Sequence, residues 1–525
     1  MRRLVTIIFP ILLTACGGDS AKQVSAENSP QGVEAFLREF HANPAREMER
    51  LPDLVSPEGT LSARGYIDKE AVAERLPFRL KTRAQVAGSE LPPGLGTAAP
   101  LPGGKDSAER LVDGGVVLDS LAELERRGLT RSTLAVKPWT DSYWPMYKGL
   151  IANRYADPRS PRSKDWINNY LYSQYNPAYS VIASGDASAI DRLSPAEKYD
   201  YAVGDLDFTL TRHSWVQGEK YHEETGKVAS WMGICHGWAA AAHMNSPLPE
   251  RPVRVIAASG LPLTFYPQDI KALQSMLWAN ASPKTRFVGN RCYVAKPERN
   301  RNGRILDPNC FDANPATWHT AITNQLGIHG RSFIMDSTFD AEVWNYPVAS
   351  YRYRYFNPET WQEGVNYRAS MIPISSFRID KFREFRSPQA RYVVGVYMDV
   401  THVGAITPTR GKVTKPPLTT LRFVYDLELD ESLQVVGGEW YSNAHPDFLW
   451  TFEPGAQATT AADSTIGQDP WRPDLGAVPA HWATAARRAS TNGAPLSTFV
   501  RWLAAAEGAG GEEPPVDPDE DGVSR

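Results

Sequence analysis

The stretch Trp231-Met-Gly-Ile-Cys-His-Gly-Trp-Ala-Ala-Ala-Ala-His243 decides the fold, because it places a cysteine directly before an alanine-rich run. Alanine has the highest helix propensity and the run stops at Asn245-Ser-Pro247, so the pattern predicts a helix. Cys235 then lies in the first turn, where unpaired backbone N–H groups and the helix dipole favour the thiolate. We predict a buried central helix that carries a cysteine nucleophile. An inert core cysteine is the alternative.

The overall composition is that of an ordinary globular protein. The 525 residues are 42% hydrophobic and 22% charged, which is enough for one large domain with extensions or for several domains. With 56 basic and 60 acidic residues the net charge is −4, and no long basic run is present that would track phosphates. The sequence therefore predicts no nucleic-acid partner.

The N-terminus has the pattern of an export signal. Residues 1–15 join two arginines to an apolar run too short to span a membrane, and Leu-Thr-Ala precedes Cys16. This pattern resembles a bacterial lipoprotein signal, in which the cysteine is lipidated; a plain cleaved signal is the alternative. We expect a lipid anchor on Cys16, a membrane partner through it, and a location in the cell envelope. Gly17 favours the outer membrane, or the periplasm or surface, of a Gram-negative bacterium.

The other cysteines bear on the role of Cys235. An exported protein resides where disulfides persist, and Cys292 and Cys310 flank a polar segment without apolar periodicity. We predict that these two form a disulfide, worth about 3 kcal/mol in the chain-entropy model. Cys235 is then left as a free thiol, which favours the nucleophile. A metal site is the rival interpretation, but no Cys-x-x-Cys or clustered histidine spacing supports it, so no metal ligands are predicted.

Four regions are predicted along the chain. They are a signal peptide (1–15), a tether and helical extension ending in a Pro/Gly-rich linker (16–105), a catalytic domain (106–455) and a tail that is partly helical and then acidic and disordered (456–525).

Helical patterns come before strand patterns within the catalytic domain. Helices are predicted over 107–127 and 193–203, with another in the tail over 480–505. Strands are predicted over 253–257, 319–325, 332–336, 391–400, 420–429 and 433–441, with a turn at Asp430-Glu-Ser432. This order predicts an α+β fold in which the nucleophile helix packs on an antiparallel sheet.

A cysteine nucleophile needs a base and a group that orients the base. His236 and His243 lie on the wrong side of the helix or too far along it. His319 opens the predicted strand 319–325, and glycines at both ends of Gly327-Ile-His-Gly330 suggest a hairpin to the strand ending at Asp336. His319 and Asp336 are then cross-strand neighbours, close enough to hydrogen-bond. A one-residue slip in register would separate them.

Several segments resemble the transglutaminase elicitor family, which includes oomycete cell-wall transglutaminases and bacterial relatives. The similarity spans roughly 130–455 and rests on Gly233-Ile-Cys-His-Gly-Trp-Ala239, Asn314-Pro-Ala-Thr-Trp-His319, Thr323-Asn-Gln325, Glu342-Val-Trp-Asn-Tyr-Pro347 and Gly438-Glu-Trp-Tyr-Ser-Asn-Ala-His-Pro-Asp-Phe-Leu-Trp450. The resemblance implies a papain-like or transglutaminase-like core with the catalytic set Cys235, His319 and Asp336. It also makes Ca²⁺ a possible cofactor, although the sequence has no EF-hand pattern.

The expected activity is that of a protein-glutamine transglutaminase. Cys235 forms a thioester with a protein glutamine, and a lysine or other primary amine resolves it, while His319 shuttles the proton and Asp336 orients the imidazole. A cysteine hydrolase, either a deamidase or a peptidase, would use the same triad. A non-catalytic envelope lipoprotein that binds through an aromatic surface is the third possibility; the aromatic residues concerned are Trp440, Tyr441, His445, Phe448 and Trp450.

Overall fold

The computed structural model describes 107–244, 248, 250–281, 283–291, 300, 313–337, 342–411, 413, 415–441, 445–467 and 471–506. Several predictions concern segments outside these residues: the signal peptide, lipidation of Cys16, the helical extension and its linker, the pairing of Cys292 with Cys310, and the acidic end.

Twelve α-helices lie within the described part of the chain. They are α1 (Leu121–Arg126), α2 (Trp166–Tyr175), α3 (Ala178–Ala183), α4 (Ala187–Asp191), α5 (Pro195–Ala202), α6 (Thr209–Thr225), α7 (Cys235–Met244), α8 (Pro267–Asn280), α9 (Pro315–Ile322), α10 (Tyr367–Ser370), α11 (Trp482–Thr491) and α12 (Ser497–Ala505). A π-helical turn, Thr323–Ile328, continues α9. None of the described helices has both the length and the apolar character needed to cross a membrane.

The eleven described strands form one large sheet and one hairpin. They are β1 (Arg131–Thr133), β2 (Val253–Ile256), β3 (Pro262–Phe265), β4 (Thr285–Gly289), β5 (Ile334–Asp336), β6 (Asn345–Phe356), β7 (Ile372–Pro373), β8 (Tyr392–Val403), β9 (Leu418–Leu429), β10 (Val435–Gly437) and β11 (Phe448–Phe452). Nine strands are joined in the order β10-β9-β8-β6-β5-β11-β4, with β1 on β6 and β7 on β8, while β2 and β3 pair separately.

Strand β6 is the centre of the sheet, and all its pairings are antiparallel. One edge pairs with β8, so that Tyr353 faces Met398. The other edge pairs first with β5 and then with β1. A β-bulge at 348–350 interrupts the regular alternation of side chains.

The two faces of β6 carry different layers. Ala349 packs in one cluster with Cys235 and Trp238 of α7. Its neighbour Val348 belongs to the cluster of Trp318 on α9. The regular strand β5 shows the same division, since Ile334 lies in the cluster of Ala239 of α7 and its neighbour Met335 in the cluster of Trp318. Because successive residues of a regular strand point to opposite faces, α7 and α9 cover opposite sides of the sheet.

Helix α7 is held in this position by close packing against α8. A Cβ at Gly237 would collide with the carbonyl oxygen of Ser275 in α8, so only glycine permits this approach. The alanines of α7 are buried along its length. The predicted α+β fold, with the nucleophile helix on an antiparallel sheet, is therefore confirmed.

Several local predictions are also confirmed. The capping box predicted at Ser194 and Glu197 opens α5. Strands β8 and β9 and the turn from β9 into β10 lie where the alternating patterns placed them.

Three segments differ from the predictions. The strand predicted over 319–325 is wrong, because Asn314 caps a helix that has Pro315 at its first position, and 315–322 is α-helical. The helix predicted over 107–127 is broken into two 3₁₀ turns and α1. The predicted helix at 480–505 is two helices, α11 and α12, interrupted at 492–496.

Candidate active site

Cys235 is the first residue of α7, as the sequence predicts. The chain enters the helix along a second segment, where Ile234 N–H donates to Tyr143 O at 2.9 Å and Met146 N–H donates to Met232 O at 2.8 Å. Gly233 lies so close to this segment that a Cβ would collide with the Tyr143 carbonyl. These backbone contacts determine the position of the Cys235 sulfur.

Polar groups from the start of β6 surround the Cys235 sulfur. The Asn345 side chain donates from Nδ2 to Sγ at 3.6 Å. The thiol itself donates to the Val343 carbonyl, also at 3.6 Å. Backbone N–H groups of Asn345 and His236 point at the same sulfur. The sulfur therefore sits within a group of converging N–H donors.

Asp336 is a buried carboxylate whose charge acts on this sulfur. It ends β5 and lies opposite Asn345 in the antiparallel register. Its Oδ1 accepts the Trp344 N–H at 2.9 Å, and the side chain is fully buried. The structure thus brings together two of the three predicted catalytic residues, Cys235 and Asp336.

The resting sulfur is a neutral thiol. Burial raises the pKa of Cys235 to about 11, and the charge of Asp336 acts in the same direction. The N–H groups of Asn345 and His236 oppose this by favouring the thiolate, but they do not outweigh burial. An ion pair of thiolate and imidazolium, as in many cysteine enzymes, is not what these contacts produce.

Aromatic side chains enclose the site. Tyr143 meets Trp344 edge to face at 5.3 Å, and Trp344 is stacked with Tyr346 at 6.3 Å. Tyr346 in turn contacts Trp238 of α7. The cavity beside the sulfur measures about 10 Å³, room for a single water, and Cys235 is only 4% exposed.

The structure does not bring His319 to Cys235. His319 lies on α9, on the opposite face of the sheet, where Nδ1 is 2.7 Å from the Tyr425 hydroxyl. Its ring meets Tyr353 edge to face at 4.6 Å. Burial lowers the pKa of His319 to about 3, which keeps the ring neutral. The hairpin that was to place His319 beside Asp336 is therefore wrong, since the segment is helical.

The other histidines near α7 have their own partners. His243 contacts Thr451 Oγ1 at 2.9 Å and Arg331 at 3.1 Å. His402 is stacked on Tyr346 at 4.4 Å. The contacts of these two rings are therefore made to groups other than Cys235 and Asp336.

Sequence analysis did not identify the contact of Asn345 with the Cys235 sulfur. Its carboxamide oxygen accepts the Trp450 indole N–H at 2.7 Å, a contact across the sheet between positions 105 apart. Both residues lie in segments that carry the family resemblance, but their separation in the sequence does not predict that they are in contact.

The aromatic residues proposed as a binding surface are buried. Their exposed fractions are at most 3%, for Trp440, Tyr441, His445, Phe448 and Trp450. This corrects the expectation of an aromatic binding face there.

The possible calcium requirement stays a prediction. Within the described ranges, no group of three or more His, Cys, Asp or Glu residues is placed to hold a metal ion.

The comparisons with known proteins agree with the sequence motifs. A family model described as transglutaminase elicitor matches residues 118–468, well over half of the chain. The crystal structure of the GP42 transglutaminase from Phytophthora sojae is similar at 22% identity, covering 69% of this chain and 96% of that one, with a TM-score of 0.46. No curated protein sequence matches the chain. The predicted family is confirmed by the family model.

Proposed function

Since the chain belongs to the transglutaminase elicitor family, we propose that it is an acyltransferase that joins protein glutamine side chains to primary amines through a thioester on Cys235. The observation that carries this proposal is the set of N–H donors that converges on a buried sulfur at the start of α7. Such donors stabilise negative charge on the sulfur and on an acyl oxygen beside it.

Asp336 is the proton acceptor in this proposal. Sγ attacks the glutamine carboxamide carbon while the thiol proton moves to the Asp336 carboxylate, so that attack and proton transfer are coupled. The proton then passes to the amide nitrogen, the C–N bond breaks and ammonia leaves. A primary amine attacks the thioester, gives a proton to Asp336, and the thiol departs with that proton. His319 has no part in these steps, because it lies on the other face of the sheet.

The enclosure of the site favours amine over water. Tyr143, Trp344 and Tyr346 form an aromatic wall beside Cys235. The separate cavity at the sulfur, which Trp231, Met232 and Val343 help to line, holds about one water molecule. Water is the competing acceptor at about 55 M, so transfer to an amine at millimolar concentration needs a selectivity on the order of 10⁴. Exclusion of water by the wall supports that selectivity.

Incorporation of a fluorescent primary amine into a glutamine-containing protein tests the proposal. We expect an isopeptide adduct by mass spectrometry from the wild type and none from Cys235→Ala, a small substitution that leaves the helix start intact. Glutamate at every amine concentration, without adduct, would identify a deamidase. Cleavage of the backbone would identify a peptidase, and no reaction at Cys235 would favour a non-catalytic protein.

A further inference from the structure

The orientation of the Asn345 carboxamide is determined by its neighbour. The Trp450 indole N–H is a donor only, so the Asn345 atom 2.7 Å from it must be the oxygen. The NH₂ group is then the one that faces Sγ at 3.6 Å. Trp450 lies on β11 and reaches Asn345 on β6 across β5, the strand between them. Both side chains are buried, so this orientation is held by the sheet.

The position of this NH₂ group relative to the sulfur has a chemical consequence. When Sγ bonds to an acyl carbon, the carbonyl oxygen becomes an anion roughly 2.7 Å from the sulfur, which is set by the bond lengths of the tetrahedral centre. A donor at 3.6 Å from the sulfur on one side is within hydrogen-bond reach of an oxygen in that position. The backbone N–H groups at the start of α7 lie on the helix side of the same sulfur.

We propose that the Asn345 side-chain amide is an oxyanion donor for acyl transfer at Cys235, and that Trp450 is the residue that positions it. This inference rests on the proposed function. As the S–C bond forms, the carbonyl π pair moves to oxygen, where the Asn345 N–H stabilises it. As the C–N or S–C bond breaks, the pair returns and the N–H···O bond weakens. No proton leaves Asn345 at any stage.

Acylation of Cys235 by p-nitrophenyl acetate tests the inference without a protein substrate. The acyl-enzyme is followed by intact mass, and alkylation by iodoacetamide at the same pH reports the reactivity of the sulfur alone. Asn345→Ala should slow acylation about 100-fold, the usual cost of one lost oxyanion donor. Alkylation should slow less than tenfold, because the backbone N–H donors remain. Alkylation passes through no oxyanion, so the ratio of the two rates isolates this role.

Trp450→Phe is the matched positioning variant. It keeps an aromatic ring beside Phe452, which Trp450 contacts at 5.4 Å, and removes the indole N–H together with part of the ring. We expect a smaller loss of acylation, about 3-fold to 10-fold, with alkylation unchanged. Near-native thermal unfolding of both variants is the folding control.

The possible failures are distinguishable. If the wild type acylates Cys235 and Asn345→Ala acylates as fast, or loses acylation and alkylation equally, the inference is wrong and the proposed function stands. If the wild type forms no acyl-enzyme at Cys235, just as Cys235→Ala forms none, both fail together.

Discussion

The protonation state of Cys235 is the property that most sharply tests this description of the site. With a pKa of about 11, roughly one sulfur in a thousand is ionised at pH 8. Raising the pKa from 9.0 to about 11 corresponds to about 3 kcal/mol against ionisation. Because only the thiolate is alkylated, the rate with iodoacetamide should rise about tenfold for each pH unit from 7 to 10, without a plateau.

Asp336→Asn changes one contribution to this pKa. The Asp336 charge raises the pKa of Cys235, so removing it should speed alkylation at pH 8 while the slope against pH stays the same. The acyl-transfer rate should instead fall by at least 100-fold, because the proton acceptor is lost. The opposite directions of these two effects separate a catalytic role from general disruption. Asn345→Ala should slow alkylation, which makes it the matched control of opposite sign.

The assay is mass-spectrometric alkylation of native protein, normalised to the rate of the unfolded chain. A plateau reached below pH 9 in the wild type would refute the reasoning, since it would mean that the folded site holds a thiolate. A nearby imidazolium would then be needed to stabilise the thiolate, and the position of His319 on the opposite face of the sheet would be wrong.

Four further measurements address other parts of the protein. His319→Asn should keep most amine incorporation and lose about 1 kcal/mol of stability with its tyrosine hydrogen bond; a loss as deep as that of the nucleophile variant would restore the predicted triad. Burial raises the pKa of Glu428 from 4.5 to about 7, so the protonated carboxyl is the form that suits the folded state. The contribution of this group to the free energy of unfolding is full below pH 4.5 and is lost as pH rises through 7. Glu428→Gln should therefore gain about 3 kcal/mol relative to wild type between pH 4.5 and 8 in denaturant unfolding. A fatty-acid analogue should label the full chain in cells but not Cys16→Ala, and labelling of the variant would disprove the anchor. Peptide mapping without reductant should link Cys292 to Cys310, and both found alkylated would disprove the disulfide.

The start of α7, the helix that carries Cys235, could be predicted because its determinants are local. The alanine run favours a helix and the sequence Asn245-Ser-Pro247 predicts its end, so the bounds of α7, Cys235–Met244, follow from neighbouring residues alone. Strands β8 and β9 were predictable for the same reason, since their alternation persists over many residues.

The segment around His319 was mispredicted because two local signals compete there. Thr-Ala-Ile-Thr resembles a strand, whereas Asn314 and Pro315 form a helix start, and the helix start prevails when α9 buries Trp318 against the sheet. The residues that contact Cys235 could not be predicted, for a different reason. The sulfur contacts residues more than 100 positions away, and only the order of the strands brings them together.

The neutral state of the buried thiol has a consequence for the lifetime of the protein. Peroxides oxidise cysteine through the thiolate, and susceptibility follows both ionisation and access. Cys235 is protonated at neutral pH and only 4% exposed. Its conversion to sulfenic acid by peroxide should therefore be slow in the resting protein.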